Sequence, residues 1–416
     1  MSAAHPPSSL VLSRENVFLP ENTGRNASRI LSGAGFLLIG VTAAAMFTGD
    51  RERCEAALHG FHIGFLIVLG FSLASMGIVM MLHQVNAGWA TTVRRQFENI
   101  MGLLWVGGLL FVVDVVLQVV AQSSKEVYLF DWMDHHHVAG DTLYEHKQGY
   151  LNVPFFYIRA ALYFLVWLGL AGALWSYSTR QDSEGDKWLT ARARKVSAPG
   201  LLLFAFSTAF AAFDWIMSLD YHWYSTMFGV YFFAGNMVAA LSLGTLVLLL
   251  IRGVGRLHGA FTSEHLHDLG KLLFGFTCFW AYISFSQYFL IWYANIPEET
   301  GWMDMRKQGP WEALSYAVPI GHFIVPFIVL IVRSVRRSRA LMSLACLWMI
   351  GMHIVDMYWA IRPDARGVAP QWIDAVAIAG PVLLFAGALV RKVASGPLVP
   401  LKDPRLPEAL AHKNYV

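Results

Sequence analysis

The sequence predicts an all-α membrane protein with about ten transmembrane helices. Residues of the apolar set AVILMFWYC make up 56% of its 416 residues, whereas charged residues make up only 14%. Soluble domains carry about 25% charged residues, which coat the surface that faces water. The mean hydropathy of +0.48 agrees with this composition. Together these values exclude an ordinary soluble, fibrous or disordered chain.

Ten apolar stretches are long enough to cross a bilayer, whose hydrocarbon core of about 30 Å needs about 20 residues of helix. Residues 1–29 contain prolines and charges but no apolar core typical of a signal peptide, so we expect the first stretch to be a lasting helix. Residues 30–392 are the predicted transmembrane domain, and 393–416 are a Pro-rich C-terminal tail. The predicted spans are 30–47, 58–83, 99–121, 152–178, 198–218, 225–252, 269–294, 313–333, 340–361 and 371–392.

The loops predict an internal arrangement and an orientation. The two longest loops on one side, at about 122–151 and 295–312, are separated by four spans. This spacing predicts two four-helix bundles, spans 2–5 and spans 6–9, flanked by helices 1 and 10. Lys and Arg are concentrated on the side that holds both termini, and the positive-inside rule makes that side cytoplasmic. We therefore expect both termini, including the Pro-rich tail, in the cytoplasm.

Ionisable side chains inside the predicted spans are the main functional signal. Each costs about 2.5–3.5 kcal/mol to insert at the centre of a membrane helix, so such residues usually have a function. Most of them fall in the half of the membrane away from the termini, where we expect them to converge on one hydrated pocket. Together with one buried amide, the candidates for a proton path or ligand pocket are Asp114, Arg159, Asp214, Gln287, His322, His353 and Asp356.

Two pairs within this set suggest specific chemistry. His353 and Asp356 are three residues apart and share one face of a helix, so the carboxylate can orient the imidazole and exchange a proton with it. Asp114 and Arg159 fall at similar depth on adjacent spans, where they could pair. For both pairs a purely structural role, in which the charges only tie helices together, stays open.

No motif for covalent or metal chemistry accompanies these residues. Cys54, Cys278 and Cys346 lie far apart, which argues against a zinc site, an iron–sulfur cluster or a disulfide framework in this chain. The histidine run at 135–137 is best interpreted as a surface loop, because neighbouring side chains point in different directions. We predict no catalytic residue and no metal ligand in the chain itself, and no nucleic-acid partner.

Three stretches resemble one family of membrane proteins. They are Tyr150–Arg159 (YLNVPFFYIR), Phe213–Asn236 (FDWIMSLDYHWYSTMFGVYFFAGN) and Phe279–Glu299 (FWAYISFSQYFLIWYANIPEE). These segments are similar to the ActF proteins, which are NrfD-like (polysulfide-reductase-type) integral membrane subunits of bacterial alternative complex III. Ten spans in two four-helix units also fit that family, so the resemblance extends over nearly the whole chain.

The resemblance implies a subunit of a quinol:cytochrome c (electron-acceptor) oxidoreductase in the bacterial inner membrane, not catalytic alone. It implies menaquinol or ubiquinol as the substrate, with haem and iron–sulfur clusters on partner subunits. The implied partners are a second NrfD-like subunit (ActC), an Fe–S/molybdopterin-type subunit, c-type cytochromes and a terminal oxidase. The polar candidates would then form a quinone-binding or proton-conducting path near the periplasmic side.

Two other functional classes fit the sequence. Buried ions and repeated helical units also suit a proton-coupled secondary transporter. A haem b membrane anchor would need two histidines at matched depth on facing helices, and His62, His322 and His353 allow that arrangement.

Overall fold

The computed structural model describes residues 11–365 and 368–414, apart from the side chain of Glu298. Within these residues the chain is about 80% helical and contains no β-strand. Ten of its helices are long and apolar enough to cross a membrane. The predicted all-α membrane fold is therefore confirmed.

The ten long helices are numbered α1 to α10 along the chain. Several extend beyond the predicted spans: α2 has 34 residues, which corresponds to about 51 Å of helix, well over the thickness of a hydrocarbon core. Their bounds are α1 Arg25–Thr48, α2 Arg51–Gln84, α3 Gly88–Lys125, α4 Val153–Glu184, α5 Lys187–Trp215, α6 Phe228–Gly253, α7 Ser263–Ala294, α8 Trp311–Ile331, α9 Arg339–Ile361 and α10 Trp372–Ala394.

Short polar side chains determine where several helices begin. The carboxylate of Asp50 accepts the backbone N–H of Arg53 at the start of α2, and the Asn152 amide oxygen accepts that of Phe155 at the start of α4. The Ser338 hydroxyl does the same for α9. Each cap satisfies a backbone donor that has no partner within its helix, which stabilises the helix start by about 1 kcal/mol.

Ten spans place both ends of the chain on one side of the helix bundle. We call this side the terminal face, and the other side, which carries loops 126–152, 216–227, 295–310 and 362–371, the opposite face. The opposite face holds the short helices Thr142–Lys147 and Pro297–Arg306. The terminal face holds Arg14–Val17, Arg333–Arg337 and Leu406–Leu410.

The long helices form two four-helix units. Helices α2 to α5 pack around one another, helices α6 to α9 do the same, and α2 meets α6 between the units. At this central contact the backbone of Gly70 lies so close to the Asn236 side chain that a Cβ atom would be 1.8 Å from its oxygen. Helices α1 and α10 pack on each other and against α2, and small residues such as Gly387 permit their close approach. This arrangement is the one predicted from the loop lengths.

The two ends of the chain pack together over the terminal face. The backbone N–H of Leu398 donates to the Val17 carbonyl oxygen over 2.8 Å, and the Gln96 amide donates to the Leu398 carbonyl oxygen over 2.8 Å. Arg94 forms a 2.7 Å ion pair with Asp403. The tail therefore runs across a surface, as its proline content suggests, while the domain boundaries at 29/30 and 392/393 stay predictions.

Candidate functional site

The predicted polar candidates do not converge on one pocket, which corrects the expectation from the sequence. They divide between the two four-helix units, and no hydrogen bond or ion pair among the described residues joins the two groups. The reason is the rotation of each helix about its own axis. Two residues at similar depth in the membrane can lie on different sides of their helices. Most members of both groups lie in the half of their helix nearer the opposite face, while their depth in a membrane stays a prediction.

Arg159 and Asp214 are the centre of the group in the first unit. Two guanidinium nitrogens of Arg159 donate to the two carboxylate oxygens of Asp214, each over 2.8 Å. The Tyr163 hydroxyl donates to Asp214 over 2.8 Å, and the third Arg159 contact is the Tyr150 carbonyl oxygen at 2.9 Å. Both charged side chains are buried. A bidentate Arg–carboxylate pair of this kind is strong and fixed in geometry.

Asp114 pairs with His62, so the predicted Asp114–Arg159 pair is wrong. The His62 Nδ1 atom lies 2.9 Å from an Asp114 carboxylate oxygen, and Nε2 lies 2.8 Å from the Trp215 carbonyl oxygen. Gln118 donates to the same Asp114 oxygen over 2.8 Å. Helix α2 lies against α3, while α4 lies against α5, so each acid meets the base of its own neighbouring helix. Each contact needs its own proton, one on Nε2 toward the carbonyl oxygen and one between Nδ1 and the carboxylate.

Asp356 is the centre of the group in the second unit, and it has no arginine or lysine partner among the described residues. The Tyr231 hydroxyl donates to one of its carboxylate oxygens, and the Trp280 indole N–H donates to the other over 3.2 Å. His322 Nδ1 lies 3.6 Å from that second oxygen, slightly too far for a hydrogen bond. This carboxylate is therefore held by neutral donors only.

His322 and His353 complete this group, and their ring centroids are 6.4 Å apart. The two rings are 0% and 1% exposed, and none of their four nitrogens has a hydrogen-bond partner in the described part of the chain. Leaving a buried polar group unpaired costs about 1–3 kcal/mol. Unpaired buried groups are rare in folded proteins, and each calls for an explanation. A role in catalysis or proton transfer is one such explanation.

Local backbone irregularity positions His322. Helix α8 contains a π-helical turn at Pro319–Ile324, a feature that frequently occurs at functional sites. The Gly321 carbonyl oxygen in this turn accepts the Trp348 indole N–H over 2.8 Å, which satisfies a backbone group that the turn would otherwise leave unpaired. The His322 ring then packs on Trp280, with centroids 4.1 Å apart.

Gly235 on α6 faces the middle of the group. A Cβ atom at this position would lie 3.5 Å from an Asp356 oxygen, from His353 Nδ1 and from the Trp280 ring. By helix geometry, Asp356 lies about 8 Å below the end of α9, and His353 about one turn deeper. We call Tyr231, Trp280, His322, His353 and Asp356 the second-unit cluster.

Gln287 lies on the same helix face as Trp280 but outside the second-unit cluster. It is seven residues, or two turns, nearer the opposite face, and its buried side-chain oxygen has no hydrogen-bond partner among the described residues. No contact joins it to Asp356 in the described structure. Its assignment to a path stays a prediction.

Sequence reasoning missed the neutral donors of the second-unit cluster and two ion pairs. Tyr231 and Trp280 carry no charge, and their types are expected in any aromatic belt, so nothing in the sequence distinguishes them. Arg362 binds Asp374 over 2.7 Å, and Arg306 binds Asp364 over 2.9 Å. Both arginines fall in loops, where buried charge is not expected.

On the opposite face, the loop acid Asp141 has a strongly lowered pKa. The Tyr221 hydroxyl donates to Asp141 over 2.7 Å, and this contact, aided by the His222 ring and two backbone N–H groups, lowers the Asp141 pKa to about 2. Lys147, nearby, donates to the Tyr221 carbonyl oxygen, and partial burial lowers its pKa. These bonds fix loop 126–152 against loop 216–227.

No protein-family model matches this chain, and no curated protein matches it.

Proposed function

We propose that this chain is the membrane subunit of a quinol-oxidising respiratory complex, in which the second-unit cluster accepts and passes on protons near the opposite face. The resemblance of three segments to NrfD-like subunits of alternative complex III supports the class of complex. The environment of Asp356 is the observation that supports the proton-accepting role. Its carboxylate is buried, has no cationic partner among the described residues, and lies beside two imidazoles whose nitrogens are unpaired there.

This environment suits a group that gains and loses a proton. An arginine beside a carboxylate keeps it ionised, because the guanidinium does not give up its own proton. Asp356 has only the Tyr231 and Trp280 donors, so a proton on the carboxylate would break no ion pair. His322, 3.6 Å away, needs only a small movement to accept that proton.

The chemistry of a quinol matches this donor and acceptor set. Oxidation of a quinol to a quinone releases two protons and two electrons, and a base near the hydroxyl assists the release. The electrons would pass to haem or iron–sulfur clusters on partner subunits. The protons would pass to Asp356 and the two imidazoles. Because the cluster is closed, with Asp356 only 2% exposed, we assign it the proton-accepting role rather than that of an open quinone pocket.

The proposed orientation places the termini in the cytoplasm of a bacterium and the opposite face toward the periplasm. The excess of Lys and Arg on the terminal face supports it through the positive-inside rule. Protons that leave the second-unit cluster by the nearer end of α9 would then be released on the outer side of the inner membrane.

The test measures quinol oxidation and proton release by the whole complex that carries Asp356→Asn or His353→Ala. General acid–base groups contribute 100-fold or more to rates, so we expect at least a tenfold loss of turnover in each variant with assembly intact. Asp356→Glu, which keeps a carboxylate, should retain more activity than Asp356→Asn. Normal turnover and proton release in both Asp356→Asn and His353→Ala would overturn the proposal.

A matched control is Asp304→Asn on the same face. Asp304 is exposed, and within the described residues its one ion pair is with Lys307, over 3.4 Å. This substitution removes the same charge without touching the cluster, so turnover should stay at the level of the unsubstituted complex.

The π-helical turn at Pro319–Ile324 favours a second candidate, a proton-coupled secondary transporter. Transporters place broken helices beside buried ionisable residues, as α8 does with His322. Solute uptake by the purified subunit in vesicles would favour this function over the first. A Soret absorption band on the purified subunit would instead favour a haem b anchor.

A further inference from the structure

A cavity of about 600 Å³ opens on the terminal face, far from the second-unit cluster. Its walls come from the end of α2, the start of α3, the first three turns of α5 and the C-terminal tail. The Gln84 amide donates to the Arg194 carbonyl oxygen over 2.5 Å and ties α2 to α5 beside it. The cavity is thus formed by four segments that are distant in sequence.

The charged residues that line the cavity are all basic. The lining includes Arg94, Lys187, Arg194, Lys195 and Arg405 and no Asp or Glu. Arg94 is neutralised by Glu98 and Asp403, and Arg405 by Glu408. The remaining three cations form no ion pair within the described residues. An anion is therefore the ligand that this wall selects.

One buried side chain with hydrogen-bonding capacity also faces the cavity. His83, on the last turn of α2, is 8% exposed and lines the wall. Its ring makes no hydrogen bond within the described residues, so a ring nitrogen is available to a ligand. A phosphate oxygen accepts a hydrogen bond from such a ring as well as from lysine and arginine.

The cavity continues into a lipid-facing stripe along α5. Arg194, Ala198, Leu202 and Phe206 follow one another at four-residue spacing on one side of the helix. The first two line the cavity, and the last two are 65% and 66% exposed. A ligand that contacts both the basic cavity and the apolar stripe has an anionic head and an apolar tail.

We propose that this cavity binds the phosphate head group of an anionic phospholipid from the leaflet at the terminal face. The phosphodiester lies among Lys187, Arg194, Lys195 and His83, and an acyl chain runs along Leu202 and Phe206. Basic pockets between membrane helices are typical sites for such head groups. The bound lipid ties the start of α5 to the last turn of α2, which carries His83.

The experiment compares lipid binding by the purified protein in nanodiscs of phosphatidylglycerol or phosphatidylcholine, with bound lipid counted by native mass spectrometry. We expect selective retention of phosphatidylglycerol. The triple variant Lys187→Ala, Arg194→Ala, Lys195→Ala should bind it at least tenfold more weakly, because each cation near an anionic lipid contributes about 1 kcal/mol. Retention by this variant equal to that of the unsubstituted protein overturns the proposal.

Two further measurements complete the experiment: a control for cations elsewhere on the terminal face, and a competition that distinguishes a lipid from a soluble anion. The matched control Arg29→Ala, Arg391→Ala, Lys413→Ala removes three exposed cations of the terminal face away from the cavity, and it should leave retention unchanged. Inorganic phosphate at millimolar concentration should not displace the lipid; full displacement would overturn the lipid assignment in favour of a soluble anion. If the triple variant does not fold, the single variant Arg194→Gln replaces it. Unchanged retention of phosphatidylglycerol by Arg194→Gln would count against the site.

Discussion

Asp214 and Asp356 invite comparison, because each lies on the fourth helix of its unit, near the opposite face. Asp214 receives three hydrogen bonds, two of them from the charged guanidinium of Arg159. Asp356 receives two, both from the neutral side chains of Tyr231 and Trp280. The first carboxylate is compensated by a fixed opposite charge, and the second is not.

The histidines differ in the same way. His62, in the first unit, uses both ring nitrogens in hydrogen bonds to protein atoms. His322 and His353, in the second unit, use none within the described residues. A histidine ring that is bonded at both nitrogens holds helices together, whereas a ring with unpaired nitrogens leaves room for a proton to enter. The comparison therefore assigns stability to the first unit and proton chemistry to the second.

The largest expected effect follows from breaking the ion pair of the first unit. Asp214→Asn leaves Arg159 buried without a countercharge, which costs about 3–5 kcal/mol. Asp356→Asn strands no charge, so its cost should be limited to weakened hydrogen bonds, about 1–3 kcal/mol. Thermal unfolding in detergent should show a clearly lower Tm for Asp214→Asn than for Asp356→Asn.

A double variant separates stranded charge from lost packing. Replacing both partners, with Arg159→Met and Asp214→Leu, removes the buried charges together, and such replacements are often close to neutral. Its Tm should exceed that of Asp214→Asn. If Asp356→Asn instead lowered Tm as much as Asp214→Asn, the contrast between the two units would fail.

A second comparison uses one substitution at two histidines. His62→Phe removes two hydrogen bonds and leaves the Asp114 carboxylate with only the Gln118 donor, which should cost about 2–4 kcal/mol. His353→Phe removes no hydrogen bond within the described structure and replaces an unpaired polar ring by an apolar one. We expect its stability to equal or exceed that of the unsubstituted protein, as measured by thermal unfolding.

Quinol oxidation by the His62→Phe and His353→Phe variants provides the control for the stability comparison. The His353→Phe protein should be stable but slow in quinol oxidation within its complex, whereas His62→Phe protein that remains folded should turn over normally. A marked loss of stability in His353→Phe would mean that the imidazole has a structural partner and would remove it from the proposed path.

The fold was predictable because bilayer thickness fixes the length of an apolar helix, and loop lengths limit which helices are neighbours. Asn152 caps α4 at the predicted boundary, whereas α2 begins at Arg51, seven residues before its predicted start at 58. The same rules say nothing about the rotation of each helix about its axis. That rotation decides whether Arg159 meets Asp114 or Asp214, so one pairing expected from the sequence was wrong.

The candidate site was predictable only in its ionisable members. Asp356 and His353 follow from their charge and spacing, but their environment depends on Tyr231 and Trp280, whose sequence signal is that of ordinary aromatic residues. That no cation of the described residues lies beside Asp356 is a property of packing. It emerges only when α6, α7, α8 and α9 are assembled around one carboxylate.

The smallest expected effect tests the opposite-face loop layer, outside both units. Because the Asp141 pKa is lowered to about 2, its contribution to stability is complete above the unfolded value of about 3.9 and is lost as the pH falls toward 2. Asp141 accepts the backbone N–H groups of Leu143 and Tyr144 at the start of the Thr142–Lys147 helix. Hydrogen exchange of these two amides, corrected for intrinsic rates, should therefore accelerate on acidification in the unsubstituted protein.

Two substitutions at this position separate the cap from its charge. Asp141→Ala removes the cap and should cost the short helix about 1 kcal/mol at neutral pH, whereas Asp141→Asn can still accept both N–H groups. Asp141→Asn should keep most of the protection at pH 6 and lose the acid-dependent change, because its amide does not titrate. The same acid dependence in Asp141→Asn would assign the titration to a group other than Asp141. In either case the thermal stability of the two four-helix units should be unaffected, since these bonds fix only the loops above them.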